Sequence, residues 1–250
     1  KAGSRAAKAA GTRSAEAAHD CRLFRRVSGV VASETVVAHV RKATVGDRSL
    51  LNSHPFQHGR WVFAHNGEIP GFDQVRDALL ARVDADLAAH ILGETDSEAL
   101  FHLFLTVMRK QNRLDADVGA EAVADGLART EVLAREVCDG IISQDRLRLN
   151  FMVTNGRCLV ASRAGKELHW ASHKTRCADR DRCPAASPAC EAPSATGEVR
   201  FLAVSSEPLG GENVWQEVPD GHVVGVDADM RLFRRKLGFT SPAERRLRVV

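Results

Sequence analysis

His39-Val40-Arg41-Lys42-Ala43-Thr44-Val45-Gly46 marks the point where an apolar run in this 250-residue chain gives way to a polar string. The run itself, Val36 to Val40, is rich in β-branched residues and predicts a buried strand. Further polar strings follow in order: Asn52-Ser53-His54-Pro55-Phe56, then His65-Asn66-Gly67, then Thr95-Asp96-Ser97-Glu98. The second of these ends another apolar run, Trp61-Val62-Phe63-Ala64. Polar, turn-forming residues at the ends of apolar strands are where a rigid scaffold presents chemistry.

Working outward, a short helix or turn is predicted over 22–31, and the strand at 61–65 is expected to pair with the one at 35–40. Phe72, Val75 and Leu79 stand at helical spacing. Thr95-x-x-Glu98 is a capping-box pattern, with Leu100, Leu103, Phe104 and Val107 as the buried stripe behind it. That places Asp96 in the first turn of a helix. A second long helix is predicted from Asp117 to about Val137, with Gly126 as a weak point inside it. Asn155-Gly156, between residues 149–154 and 157–162, predicts a hairpin with a type I′ turn. Strands at about 167–171, 199–205 and 222–227 complete the pattern.

Strands, then helices, then strands again do not alternate as a βαβ unit does, so the expected class is α+β, antiparallel sheets covered by helices. Residues 1–22 are alanine-rich and basic, without a large apolar residue before Leu23, and are expected to be disordered or mis-joined. The globular domain is expected over 23–240, with a long surface loop at 173–198 and a basic tail at 241–250.

Composition narrows the function classes. A net charge of +3, with no basic cluster interleaved with aromatics, argues against nucleic acid as a partner. No apolar run approaches the roughly 20 residues that span a bilayer, and no signal-peptide core is present, so neither a membrane nor export is expected. Without a secretory signal, the six cysteines point to reduced thiols in a cytoplasm. Cys177-x5-Cys183-x6-Cys190 misses the usual Cys-x2-4-Cys zinc spacing even with His173 as a fourth ligand, so no metal site is expected there.

The ordered strings resemble the glutaminase domain of class II glutamine amidotransferases, which are N-terminal-nucleophile hydrolases. The residues that carry the resemblance are Arg41 and Thr44, His54-Pro55, Asn66-Gly67 and Thr95-Asp96-Ser97-Glu98. It continues through Leu149-Asn150-Phe151 and Ser205-Ser206-Glu207-Pro208-Leu209. Each motif alone is weak, and the ordered set is strong. It looks closest to the stand-alone branch of γ-glutamyl hydrolases and transferases. The resemblance implies a four-layer αββα sandwich of antiparallel sheets.

It also implies a chemistry. Taking ammonia or an amine from a glutamine or γ-glutamyl amide is acyl transfer, which needs a nucleophile, an oxyanion hole and a grip on the amino acid's charged ends. By resemblance Arg41 clamps the substrate α-carboxylate through two parallel charged hydrogen bonds. Asp96 takes the α-ammonium. The Asn66 side-chain amide and the Gly67 backbone N–H form the oxyanion hole. Thr44 and His65 line the pocket. No cofactor is expected; the partner is a small-molecule substrate, with the acyl acceptor left open between water, another amine and a route by which ammonia passes to a synthase subunit.

The family's nucleophile is an N-terminal cysteine, whereas the sequence begins with Lys1. The expectation is therefore a domain lacking its N-terminal section, inactive as it stands. Cys21 lies too close to Arg41 to serve and reads as an ordinary buried thiol. The alternative reading is a catalytically inactive module that binds glutamine or a γ-glutamyl compound.

Overall fold

In the computed structural model, which describes residues 11–30, 33–40, 47 and 49–238, the apolar run at Trp61 becomes an eight-residue strand. The helices are α1 (Arg22–Ser28), α2 (Arg76–Leu80), α3 (Ala85–Ala88), α4 (Asp96–Lys110) and α5 (Ala120–Cys138). The strands are β1 (Phe56–His58), β2 (Trp61–Glu68), β3 (Arg148–Thr154), β4 (Leu159–Ser162), β5 (His169–Ala171), β6 (Ala203–Ser205), β7 (Gln216–Glu217), β8 (His222–Val226) and β9 (Leu232–Lys236). They form a six-stranded sheet in the order β1-β2-β3-β4-β8-β9 and a three-stranded sheet in the order β6-β5-β7. Every pairing is antiparallel. The fold is α+β, and the described residues build the helix–sheet–sheet part of the expected four-layer order.

Side-chain alternation explains the layers. Trp61 and Phe63 of β2, Phe151 and Val153 of β3 and Val160 of β4 pack into the core shared with α4 and α5. Phe63 stacks on Phe101 with centroids 5.3 Å apart and meets Phe151 at 5.4 Å. On the opposite face Ala161 and Val224 meet Leu168, Trp170 and Val218 beside the small sheet. Burial of this apolar surface, at about 25 cal/mol per Å², is the main force holding the layers together.

The predicted stripe of α4 is buried as expected, and the helix is enclosed almost all round. It lies against β2 on one side and α2, α3 and α5 on others, so more than one face is apolar. The Thr95 hydroxyl caps it by accepting the Glu98 N–H at 3.2 Å. The Glu98 carboxylate does not close a reciprocal box. It accepts from the Leu92 N–H at 3.1 Å and the Gly93 N–H at 2.7 Å, tying down the loop before the helix. Burial raises the Glu98 carboxyl above its ordinary value, against the pull of those two N–H groups.

Several expectations are corrected. Residues 33–40 carry no strand, and Val36 and Val40 are exposed. β-Branched residues favour a strand only where a neighbouring strand and a core receive them, and β2 takes β1 and β3 as its partners instead. The hairpin at Asn155-Gly156 forms, with Gly156 at φ 83°, but Asn155 is not at positive φ, so the turn is not type I′. Asn155 Oδ1 instead accepts from the N–H groups of Arg157 and Cys158, both at 3.0 Å, and its side chain makes the turn. Strands β1, β7 and β9 escaped prediction, being short or heavily charged. Residues 1–10 and 239–250, which include much of the predicted N-terminal segment and the basic tail, lie outside the described residues.

Helix α5 runs uninterrupted through Gly126 because the glycine is where α4 approaches. A Cβ there would stand 2.4 Å from Met108 Sδ and 3.1 Å from Phe104 Cε2. Gly126→Val is expected to cost roughly 1–3 kcal/mol by overpacking. Gly126→Ala should cost less, because Met108 is flexible and alanine gains about 1 kcal/mol of helix propensity. Urea-unfolding midpoints of the two variants check the order.

Candidate functional site

Of the residues singled out from the sequence, His65, Asn66, Gly67 and Asp96 lie where β2 ends and α4 begins. Beyond Phe63, β1 no longer pairs with β2, so that edge of β2 has no strand partner among the described residues. The N-terminus of α4 packs there. The Asp96 carboxylate accepts the Ile69 N–H on Oδ2 at 2.7 Å, and the Ser97 N–H on Oδ1 at 2.7 Å. Asp96 is buried at the start of the helix, where the helix dipole favours an anion.

His65 crosses from the strand to the same helix. Its Nδ1 lies 2.9 Å from Ser97 Oγ and its Nε2 lies 2.9 Å from the Arg148 carbonyl oxygen. A carbonyl only accepts, so Nε2 carries hydrogen. Burial lowers the His65 pKa, against the opposing pull of Asp96, and keeps the ring neutral. Nδ1 is then an acceptor, and the Ser97 hydroxyl, which also lies 3.2 Å from Asp96 Oδ1, donates to the nearer Nδ1. Both ring nitrogens are thus occupied within the protein, and His65 joins β2, β3 and α4.

Asn66 and Gly67 follow. Side-chain alternation turns Asn66 away from His65, and its Oδ1 accepts from Lys166 Nζ at 3.2 Å. Among the described residues no acceptor takes its Nδ2 hydrogens. Gly67 passes so close to β3 that a Cβ would fall 1.8 Å from the Arg148 carbonyl oxygen and 2.4 Å from His65 Nε2. Only glycine permits that approach.

A second knot holds the loop that precedes the site. Asn52, buried, accepts the Glu94 N–H on Oδ1 at 2.9 Å and donates through Nδ2 to the Asp47 carbonyl at 3.0 Å. Gly93 lies against both: its Cβ would meet Asn52 Oδ1 at 2.4 Å and Glu98 Oε2 at 2.7 Å. The chain at Asp47 is thereby fastened to the start of α4.

The structure therefore brings His65, Asn66, Gly67 and Asp96 together. Arg41 and Thr44 lie outside the described residues. His54 stacks on His39 with centroids 4.1 Å apart and edges Phe56 at 4.8 Å. Cys21 is buried and caps α1, its Sγ accepting the Phe24 N–H at 3.4 Å. Among the described residues no group of three or more His, Cys, Asp or Glu side chains could hold a metal ion. Ser97, Asn52 and Asn150 fall within the quoted strings without an assigned role, and Lys166 lies outside all of them. For Asn150 a signal was present, a polar side chain in an otherwise apolar strand; for Lys166 there was none.

Gly67→Ala is expected to destabilise the fold by about 3 kcal/mol or more, because the clash is with backbone that cannot move aside. Circular dichroism and denaturant unfolding of the variant would show it. A second expectation concerns pH. His65 is held neutral in the fold, so between its ordinary value near 6.5 and its lower folded value the unfolded chain binds more protons. Stability should therefore fall as pH drops from about 7.5 to 5.5. His58 and His102, lowered mainly by burial, act in the same direction. Glu98, whose carboxyl burial raises, acts in the opposite sense, so the His65 share is read as the change in the pH slope of unfolding free energy between the natural protein and His65→Gln, and an unchanged slope would overturn it.

Among described residues, no helix is long and apolar enough to cross a membrane. In comparison with known proteins, the chain is 35% identical over 139 residues to a Saccharomyces cerevisiae protein described as "Probable glutamine amidotransferase", covering 52% of this chain and 39% of that one. It is 35% identical over 80 residues to the glutamine–fructose-6-phosphate aminotransferase of Haemophilus influenzae, covering 32% of this chain and 12% of that one. The chain thus spans well under half the length of these relatives. The solved structure of a glutamine aminotransferase class-II domain protein from Silicibacter pomeroyi superposes with a TM-score of 0.63 at 24% identity, over 90% of this chain and 84% of that one, a likeness of fold. A family model described as class-II glutamine amidotransferases matches residues 3–236, and the chain belongs to that family.

Proposed function

We propose that the protein hydrolyses the side-chain amide of glutamine, or of a related γ-glutamyl amide, through the family's N-terminal cysteine, a residue that the 250-residue sequence, which begins with Lys1, does not itself supply. The observation that carries the reading is the junction of β2 and α4 in a chain of this family. There the donor-bearing Asn66-Gly67 segment lies beside the Asp96 carboxylate, bridged by the Ile69–Asp96 hydrogen bond of 2.7 Å.

In this reading the cysteine thiol, its proton taken by the chain's own α-amino group, attacks the amide carbon. The developing oxyanion is met by Asn66 Nδ2 and the Gly67 N–H, and the carbon–nitrogen bond breaks as the chain's α-ammonium passes the thiol's proton to the leaving nitrogen, which departs as ammonia or an amine. Water then cleaves the thioester, giving glutamate and restoring the thiol. Asp96 holds the substrate α-ammonium, and Arg41 with Thr44 holds the α-carboxylate end. His65 acts from behind, since its nitrogens already serve Ser97 and Arg148. The ammonia either leaves or passes to a synthase partner. We place the reaction in the cytoplasm, where the six free cysteines stay reduced.

The test is ammonia and glutamate release by the protein isolated from its natural source, with N-terminal sequencing to identify its first residue; a first residue other than cysteine would overturn the proposed nucleophile. Asn66→Ala is expected to lower kcat by about 10²–10³ with little change in KM, as for loss of an oxyanion donor. Asp96→Ala should chiefly raise KM. Saturable glutamine binding by the folded natural chain without turnover would overturn the enzyme reading.

A further inference from the structure

Asn150 lies at the heart of the site, and the proposed chemistry makes no use of it. It is buried, 2% exposed, and stands directly opposite Asn66 in the β2–β3 register. Its amide is fully engaged. Oδ1 accepts from the N–H groups of Ala164 at 2.7 Å and Lys166 at 3.3 Å, and Nδ2 donates to the carbonyls of Lys166 at 3.0 Å and Glu167 at 3.3 Å. One side chain thus fixes the turn at 164–167 from within the sheet. Gly165 at its centre sits at φ +96°, and its N–H is held by Asp220 Oδ1 at 2.8 Å. The product of these bonds is the placement of Lys166, whose Nζ reaches Asn66 Oδ1 at 3.2 Å.

We infer that Lys166 is a positioning residue for the Asn66 amide, presented by the turn that Asn150 builds. The inference rests on the reading of Asn66 as an oxyanion-hole donor. A primary amide has nearly the same shape after a half-turn about its last bond, yet only one of its two ends donates. An ammonium group has donors and no acceptor, so it pairs with the oxygen end alone. The flipped amide would set donor against donor. Lys166 therefore selects the orientation that directs the Nδ2 hydrogens away from itself. A donor already oriented needs no reorganisation as the oxyanion forms. The ammonium also polarises the amide and strengthens its N–H groups as donors. A surface lysine ordinarily wanders; here the backbone N–H and carbonyl of Lys166 itself are both clamped by a buried side chain.

Lys166 is exposed, so Lys166→Met should fold normally. The first readout is the Asn66 side-chain amide resonance pair in a nitrogen–proton NMR spectrum, assigned by its disappearance in Asn66→Ala. The expected result in Lys166→Met is a shifted pair with faster exchange with water, restored by Lys166→Arg. The second readout is glutamine turnover, where kcat should fall about tenfold with KM within about twofold, again restored by arginine. An unmoved Asn66 resonance overturns the inference whether or not the protein turns over glutamine. A moved resonance with unchanged kcat overturns its catalytic consequence. A parent protein that releases no ammonia is a separate failure, that of the glutaminase reading, and the NMR comparison still decides the positioning role.

Discussion

The carbonyl oxygen of Arg148 is the point on which the site depends. His65 donates Nε2–H to it at 2.9 Å, and Gly67 passes so close that a side chain would overlap it. These two facts set the rest in sequence. The hydrogen bond fixes the tautomer of a buried histidine, the tautomer makes Nδ1 an acceptor, and the acceptor claims the hydroxyl of Ser97. Ser97 follows Asp96 on the first turn of α4, so the strand end and the helix start become one rigid unit.

This unit is polar and buried, a combination that is costly unless every group finds a partner. Here the partners are mostly backbone. Asp96 is held by two N–H groups, Glu98 by two others, and Asn52 by an N–H and a carbonyl. The carboxylates thus stay in place through bonds that do not require a neighbouring cation. The arrangement spreads the anchoring over the loops that adjoin the start of α4. Asn150 applies the same device on β3, holding the turn that carries Lys166.

The helices and the hairpin were legible because their signals are local. Thr95 caps α4 through a contact three residues long, and the apolar stripe behind it has the helical period. Gly126 looked like a flaw in α5 because its reason, the side chain of Met108 on another helix, is not local. The run Val36–Val40 failed in the opposite way. Its residues favour a strand, yet a strand needs a partner, and residues 33–40 have none in the described structure.

Sequence by itself determined the family and the antiparallel α+β class, since ordered motifs and periodicity survive without coordinates, and it nominated Asn66, Gly67 and Asp96 as candidates. Only the tertiary structure decided what holds them. His65 ties its two ring nitrogens to Ser97 and to Arg148, the latter 83 positions away. Lys166 meets Asn66 across 100 positions, and Asn150 faces it across the sheet register. Such pairings are created when strands far apart in the chain align under the pressure to bury apolar faces and satisfy every buried polar group, and that is a property of the packed sheet rather than of any stretch within it.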